Sequence, residues 1–257
     1  MNRAALFASL RSRTSGVFGT SLSQGQVTGI EGIIDEALRR RTFKNHLAYM
    51  LATTYHETAH TMQPIHERGG RAYFNKYDAG TPIGKRLGNT VKGDGYLYRG
   101  RGLVQITGRS NYAKASKKLG VDFIKDPDRV LEPKLAIAIM FAGMEEGWFT
   151  GKDLLDYIDL EDEADAEDLR EYANARRIIN GTDKAAQIGK YAIAFENALA
   201  AAGYGEEAAA PPAPIPTPKP RPASPVGTSE TVAQKPKPST GLAALIEAIL
   251  KIFRRKA

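Results

Sequence analysis

The chain of 257 residues is 42% hydrophobic and 25% charged, the composition of a globular protein with enough apolar material for a sizeable core. It contains no cysteine, which excludes disulfides and thiolate metal sites. Of the net charge of +7, four charges fall in residues 205–257, where eight Lys/Arg face four Asp/Glu. A basic balance suits an anionic partner such as nucleic acid, phospholipid or an acidic cell-wall polymer. For residues 1–204 we interpret the remaining charge as a contribution to solubility.

The first helices are predicted from apolar spacing. Met1 to Arg11 lacks a sustained apolar stretch and predicts a short amphipathic helix instead of a signal peptide, so we expect synthesis in the cytoplasm. Two apolar stripes at helical spacing follow. The first consists of Ile30, Ile33, Ile34, Ala37 and Leu38, and the second of Phe43, Leu47, Met50, Leu51 and Tyr55.

Four further helices are predicted from caps and helix breakers. They are Asn111 to Leu119, stopped by Gly120; Pro133 to Met144; Ala166 to Ile179, ended by Asn180-Gly181; and a last helix capped by Asp183 that reaches Ala202. The glycine- and aromatic-rich sequence from the early seventies to Tyr98 predicts loops with at most a small hairpin. The pattern as a whole indicates one mostly α domain over residues 1–204.

The sequence after this domain changes character twice. Ten of the fourteen prolines lie between Pro211 and Pro238, which predicts an extended linker over residues 205–239. Residues 240–257 predict a basic amphipathic helix that is too short for a bilayer, which takes roughly 20 apolar residues. This helix either contacts an anionic membrane surface, or packs on the domain or on another copy. We favour the membrane, because simple packing needs no long linker.

The segment from Tyr55 to Glu67 contains two competing sets of catalytic groups. The run His56-Glu57-Thr58-Ala59-His60 fits the helical zinc-protease pattern, and His66 lies where a third ligand would sit. That pattern requires a glycine turn where this chain has Gln63, and Pro64 restricts Gln63 to extended conformations. A zinc peptidase is therefore the weaker alternative, and we expect neither a metal nor another cofactor.

Two carboxylates in the same segment suit the hydrolysis of a glycosidic bond. This reaction needs a protonated acid on the leaving oxygen and a carboxylate that activates water or attacks carbon. Glu57 ends an apolar helix, where partial burial should favour its protonated form. Glu67 follows in a polar loop beside Gly69-Gly70, where it should stay ionised. A pair divided between helix and loop suits the separation of ~6.5–9.5 Å found in inverting enzymes.

A later segment of the chain favours the carboxylate pair over the zinc site. The run from Tyr98 to Tyr112, YRGRGLVQITGRSNY, resembles the long signature of glycoside hydrolase family 19, the chitinase-like enzymes, where this block lines the sugar cleft. His56-Glu57-Thr58 resembles the catalytic-acid motif of that family, and Arg177 to Gly181 resembles its late Asn-Gly motif. The three motifs occur in the family's order, whereas a zinc peptidase accounts for the first alone.

The resemblance implies a mostly α, lysozyme-like α+β domain with a deep cleft, and a role for each matching residue. It makes Glu57 the general acid, Glu67 the general base and Thr107 a hydroxyl that helps to hold the attacking water. Gln105 and Asn180 have a structural alternative, and His56 has one as a packing residue. Sugar binding is assigned to residues with hydrogen-bonding or aromatic side chains: His56, Tyr98, Arg101, Gln105, Asn111 and Asn180.

Departures from the plant enzymes of this family bear on the substrate. The two acids lie closer in sequence than in plant chitinases, and the arginine expected in the last helical region is replaced near Gln187. A short domain without cysteine resembles the lysins of bacteriophages, which cut peptidoglycan, and peptidoglycan shares the β-1,4-linked N-acetylated backbone of chitin.

We therefore expect a bacteriolytic endolysin that hydrolyses the glycan backbone of peptidoglycan with inversion. The alternatives are a chitinase, a zinc peptidase and a wall-binding protein with a degenerate site. We expect a monomer that binds glycan strands but no nucleic acid and that acts in the periplasm and cell wall. The C-terminal helix is expected to contact an anionic membrane or outer-membrane surface.

Overall fold

The helices predicted from apolar spacing and caps recur in the computed structural model, which describes residues 1–160 and 165–205. This part of the chain is mostly helical, as predicted. The linker predicted over residues 205–239, apart from Gly205, and the helix predicted over residues 240–257 lie outside the described residues. Within them, no helix is long and apolar enough to cross a membrane.

The α-helices are α1 (Arg3–Leu10), α2 (Gln24–Arg40), α3 (Lys44–Glu57), α4 (Pro82–Arg86), α5 (Asp94–Leu97), α6 (Arg109–Leu119), α7 (Pro133–Glu145), α8 (Asp165–Ala175) and α9 (Ala185–Ala201). Short 3-10 turns cover Arg13–Ser15, Arg71–Tyr77, Pro127–Leu131, Leu154–Asp156 and Arg176–Ile178. Two strands, β1 (Ile65–His66) and β2 (Arg101–Gly102), form an antiparallel pair with Ile65 opposite Gly102 and His66 opposite Arg101.

Helix α3 is the centre of the core. The predicted stripe is buried except for Phe43, which precedes the helix and is 51% exposed, but burial extends to every residue from Asn45 to Tyr55. Helix α9 packs against α3, and also against α8 and α1. A helix buried on all sides cannot turn without unpacking its neighbours, so Glu57 at its end has a fixed position.

Helix α2 holds the connection between α3 and β1. A capping box of Ser23 and Gln26 starts α2, and the amide of Gln26 also donates to the carbonyl of His60 at 2.9 Å. The amide of Gln63 donates to the carbonyl of Gly25 at 2.6 Å. A Cβ at Gly29 would lie 2.0 Å from the Met62 carbonyl oxygen, so only glycine permits this approach. The connection that leads to Glu67 is thereby fixed at both ends.

Two predicted boundaries need correction. Helix α8 ends at Ala175 and the chain continues as a 3-10 turn, and α9 starts after a left-handed Lys184 instead of at Asp183. The prediction of loops between the early seventies and Tyr98 was incomplete, because α4, α5 and a 3-10 turn lie there. The observed hairpin forms outside that segment, between β1 and β2.

These short elements form a small lobe with its own core of Phe74, Tyr77, Ile83 and Leu87. A fully buried Asp94 carboxylate accepts two hydrogen bonds from the guanidinium of Arg109, at 2.9 and 2.7 Å. This ion pair links α5 to the start of α6. The lobe therefore has a rigid frame, and it supplies one of the groups that bind Glu67.

Candidate active site

Glu57, the last residue of α3, lies in an ion pair. The guanidinium of Arg176 donates to its carboxylate at 2.6 Å, and the two side chains are 2% and 14% exposed. The Nε of Arg176 also donates to the carbonyl of Asp183 at 3.1 Å. We expected Glu57 to lie in an apolar environment, but the structure places a buried guanidinium against its carboxylate.

The sequence did not identify Arg176. We interpreted the family's arginine as replaced near Gln187, and the structure shows a guanidinium from the 3-10 turn before α9 on Glu57. A signal was present, since Arg176 directly precedes the Arg177 to Gly181 motif. What the sequence could not supply is the contact itself, which joins residues 119 positions apart.

Glu67 directly follows β1, and the backbone of Gly100, the residue before β2, holds it in place. The N–H of Glu67 donates to the Gly100 carbonyl at 2.7 Å, and the N–H of Gly100 donates to the Glu67 carboxylate at 3.1 Å. The Tyr77 hydroxyl donates to the other carboxylate oxygen at 3.1 Å. Burial nevertheless raises the pKa of Glu67, and the hydrogen bonds from Gly100 and Tyr77 oppose that shift. The predicted polar setting was therefore wrong for Glu67 as well.

Gln105, Thr107 and Asn111 form a chain of contacts beside this hairpin. Gln105 has left-handed backbone, with φ of 53°, and its amide nitrogen donates to the carbonyls of Ile65 and Gly102. The Thr107 hydroxyl donates to the Gln105 carbonyl at 2.9 Å, and the Asn111 amide donates to the Thr107 carbonyl at 2.8 Å. A strained residue at a hairpin next to a buried carboxylate is typical of a functional site.

Gln105 also explains why residue 100, which binds Glu67, is a glycine. A Cβ at Gly100 would lie 2.8 Å from the amide oxygen of Gln105 and 3.1 Å from a Glu67 carboxylate oxygen. The structure therefore brings Gln105 and Glu67 together against the same face of one glycine.

Tyr98 and Arg101 lie inside the protein, each 2% exposed. The Tyr98 hydroxyl donates to the Ile124 carbonyl, and the Arg101 guanidinium binds the Asp128 carboxylate and the carbonyls of Leu97 and Arg99. Neither side chain is accessible to a polymer, so we correct their predicted sugar-binding role to a structural one.

His56 and Asn180 lie on the Glu57 side of the site. Burial lowers the pKa of His56, so its imidazole is neutral at pH 7. The backbone N–H of Asn180 donates to the Arg176 carbonyl at 2.8 Å, while its side-chain oxygen is buried without a hydrogen-bond partner. Such an acceptor is costly to leave unpaired and suits a bound hydroxyl.

The zinc-protease geometry is not formed. Helix α3 ends at Glu57, so His60 is not one helical turn beyond His56, and its ring stacks on Tyr55 at 4.0 Å. His66 accepts a hydrogen bond from Arg99 through Nδ1. Over residues 1–160 and 165–205, no group of three His, Cys, Asp or Glu side chains is placed to hold a metal ion.

The Glu57–Arg176 pair gives a stability prediction. Arg176→Met should lower the free energy of unfolding by about 3–5 kcal/mol, because it leaves a part-buried carboxylate without its partner. The double variant with Glu57→Gln should lose less than the sum of the two single variants, as measured by urea unfolding. The control Arg177→Met removes an exposed guanidinium from the same turn and should change stability by within about 0.5 kcal/mol. Additive losses would contradict the coupling.

The hydrogen bond from Tyr77 gives a titration prediction. Tyr77→Phe should raise the pKa of Glu67 further, because it removes a donor to the ionised form. Carbon-13 NMR titration of the glutamate carboxyls measures this shift, and Tyr204→Phe, whose hydroxyl binds the Thr42 carbonyl, is the remote control. Because the folded-state pKa lies above the unfolded value, Glu67 contributes stability at low pH that is lost as the pH rises through the folded pKa. An unchanged or lowered pKa in Tyr77→Phe would show that the hydroxyl does not bind the carboxylate.

Comparison with known proteins shows which family part of this chain resembles. Residues 30–153 match the family model of glycoside hydrolase family 19, described as chitinase class I. A glycosyl hydrolase family 19 domain-containing protein of Haemophilus influenzae is 62% identical over 39 residues, which are 14% of this chain and 20% of that protein. The match thus spans about a fifth of that relative's length.

Two solved structures resemble the chain more distantly. A crystal structure of a chitinase C mutant has 15% identity and a TM-score of 0.45, covering 79% of this chain and 92% of its own. A bacterial family 19 chitinase has 21% identity and a TM-score of 0.43, covering 78% and 93%. Likeness at this level supports no argument of its own. The match over residues 30–153 includes Glu57, Glu67 and the Tyr98 to Tyr112 block, so this segment is similar to glycoside hydrolase family 19 across all three.

Proposed function

We propose that this domain hydrolyses β-1,4 bonds in a backbone of N-acetylated sugars, with Glu57 and Glu67 as the acid/base pair. The observation that carries the proposal is that the fold holds two partly buried carboxylates through separate partners. Glu57, at the end of α3, is ion-paired with Arg176, and Glu67, after β1, accepts hydrogen bonds from Gly100 and Tyr77. Acid/base hydrolysis requires two carboxylates in fixed positions.

The family resemblance gives Glu57 the role of acid and Glu67 the role of base. An inverting cycle needs a protonated acid and an ionised base at the start. The hydrogen bonds from Gly100 and Tyr77 favour the ionised form of Glu67. Glu57 then protonates the leaving oxygen while Glu67 takes a proton from the attacking water, with the Thr107 hydroxyl helping to hold that water. Asn180 and Gln105 supply neutral groups for sugar hydroxyls, which add no charge near the acid.

We propose peptidoglycan as the substrate, cut in the manner of a bacteriolytic endolysin acting at the cell wall. Two features support this. The chain has no cysteine, and residues 58–64 connect α3 directly to β1, so the connection between the acids is short. Chitin, which shares the backbone chemistry, is the second candidate, and the match of residues 30–153 to the chitinase class I model favours it.

Digestion of purified peptidoglycan tests both the activity and the substrate. Glu57→Gln and Glu67→Gln should each lower the release of reducing ends by roughly 10²-fold or more, while the exposed Glu132→Gln should behave as wild type. Mass spectrometry of the products identifies the new reducing end as muramic acid or glucosamine, and an anhydro end would indicate a transglycosylase. Full activity of Glu57→Gln would refute the assignment.

Azide distinguishes the two roles. If Glu67 is the base, Glu67→Gly leaves room for azide to attack the anomeric carbon, with Glu57 protonating the leaving oxygen. The expected product is a glycosyl azide, and Glu57→Gly should give none. Formation of the azide product by Glu57→Gly alone would reverse the assignment.

We propose further that residues 240–257 contact an anionic membrane surface. The proposal rests on the sequence, in which an apolar helical face precedes Arg254-Arg255-Lys256. Deleting residues 239–257 should leave hydrolysis of purified peptidoglycan unchanged but weaken action on intact cells that have an outer membrane. Equal potency of both proteins on intact cells would remove the membrane contact.

A further inference from the structure

Two arginines share one aromatic ring at the edge of the candidate site. The guanidinium carbon of Arg71 lies 4.4 Å from the centroid of the Tyr96 ring, and that of Arg99 lies 4.2 Å from the same centroid. Both distances are within the range of a cation–π contact, which restricts the orientation of a guanidinium while leaving its N–H groups available. The ring thus holds two like charges close together.

Arg99 also fixes a third donor. Its guanidinium donates to Nδ1 of His66 at 3.1 Å and to the Tyr96 carbonyl at 2.8 Å. Burial, followed by the charges of Arg99 and Arg101, lowers the pKa of His66, so the imidazole is neutral at pH 7. Because Nδ1 accepts a hydrogen bond, the ring proton is on Nε2, where it can be donated to a ligand.

This cationic cluster, defined as Arg71, Arg99 and His66, borders the carboxylate of Glu67. His66 directly precedes Glu67, and the N–H of Gly100, the residue after Arg99, donates to the Glu67 carboxylate. A ligand bound to the cluster would therefore belong to a substrate whose sugar backbone reaches Glu67. The cationic cluster therefore lies on the side of the site that the β1–β2 hairpin forms, next to Glu67.

The two arginines of the cluster form no ion pair within residues 1–160 and 165–205, although the charge of Arg99 acts on Glu67 and opposes the rise in its pKa. In the part of the chain that the structure describes, the contacts of Arg71 and Arg99 are to Tyr96 and His66, and none is to a carboxylate. Arg71 is exposed and Arg99 is half-buried. Like charges held together raise the energy of the free protein, and a bound anion lowers it. The guanidinium geometry matches a carboxylate, which can accept two parallel hydrogen bonds.

We propose that the cationic cluster binds a carboxylate of the peptide stems that peptidoglycan carries along its glycan strands. The proposal rests on the proposed function and refines it, because it names the group that separates this substrate from chitin. Chitin has the same backbone linkage but no carboxylate. Recognition of the acidic stem beside the cleaved bond would thus select the wall polymer over the neutral one.

The test compares native peptidoglycan with peptidoglycan whose carboxyl groups have been chemically amidated. In the full-length protein, Arg71→Gln combined with Arg99→Gln should lower kcat/KM on native wall by about tenfold, the loss expected when hydrogen bonds to a charged group are removed. The wild-type protein should lose a similar factor on amidated wall, where the difference between the two proteins should disappear. Arg13→Gln, which changes an exposed arginine in the 3-10 turn after α1, matches the change in charge of the single variant Arg71→Gln and should match wild type on both substrates.

Thermal unfolding and the single variant Arg71→Gln separate loss of binding from loss of the fold. Among the described residues, Arg71 is exposed and its guanidinium contact is with the Tyr96 ring, so its loss should not disturb the fold. An equal loss on native and amidated wall would overturn the proposal, and so would no loss on either. If wild-type protein releases no reducing ends, the proposed function fails. Co-sedimentation with the two insoluble walls then decides the carboxylate site separately: binding weakened by the variants on native wall alone supports it, and any other pattern rejects it.

Discussion

The site depends on one ion pair that closes the helical core at its functional end. Arg176 is 2% exposed, and removing a guanidinium from water is costly unless it is paired. Glu57, 119 positions away in the chain, and the nearby Asp183 carbonyl supply the pairing. The pair thus fastens the end of α3 to the turn before α9. It also orients Asn180, whose N–H is bound to the Arg176 carbonyl.

The second carboxylate is positioned by a different kind of constraint. Glu67 is held by backbone, because β1 and β2 pair for only two residues and Glu67 and Gly100 exchange two further hydrogen bonds beyond them. The small lobe adds the Tyr77 hydroxyl. A rigid helix end thus faces a hairpin fixed by its own glycine, and the two acids belong to separately supported elements. Such support preserves the spacing that acid/base chemistry requires.

Sequence patterns predicted the elements better than their chemical surroundings. Helices such as α6 and α7 follow from a glycine stop and a proline start, which act locally. The predicted environments of the two acids were wrong because distant parts of the chain set them. Arg176 sets the environment of Glu57, and the packing of the small lobe sets that of Glu67. Arg101 was mistaken for a surface ligand for the same reason, since its partners are carbonyls and a carboxylate that the chain brings together only on folding.

Positive charge has a different role beside each of the two acids. On one side the cation is buried and bound to Glu57 and the Asp183 carbonyl, so it organises the free enzyme. On the other side the cations of the cationic cluster are exposed or half-buried and stack on Tyr96, so they face outward. A buried cation contributes to a fixed geometry, whereas an exposed one is worth little until a ligand displaces its water. The fold thus separates the positive charge that builds the site from the positive charge that remains available to a substrate.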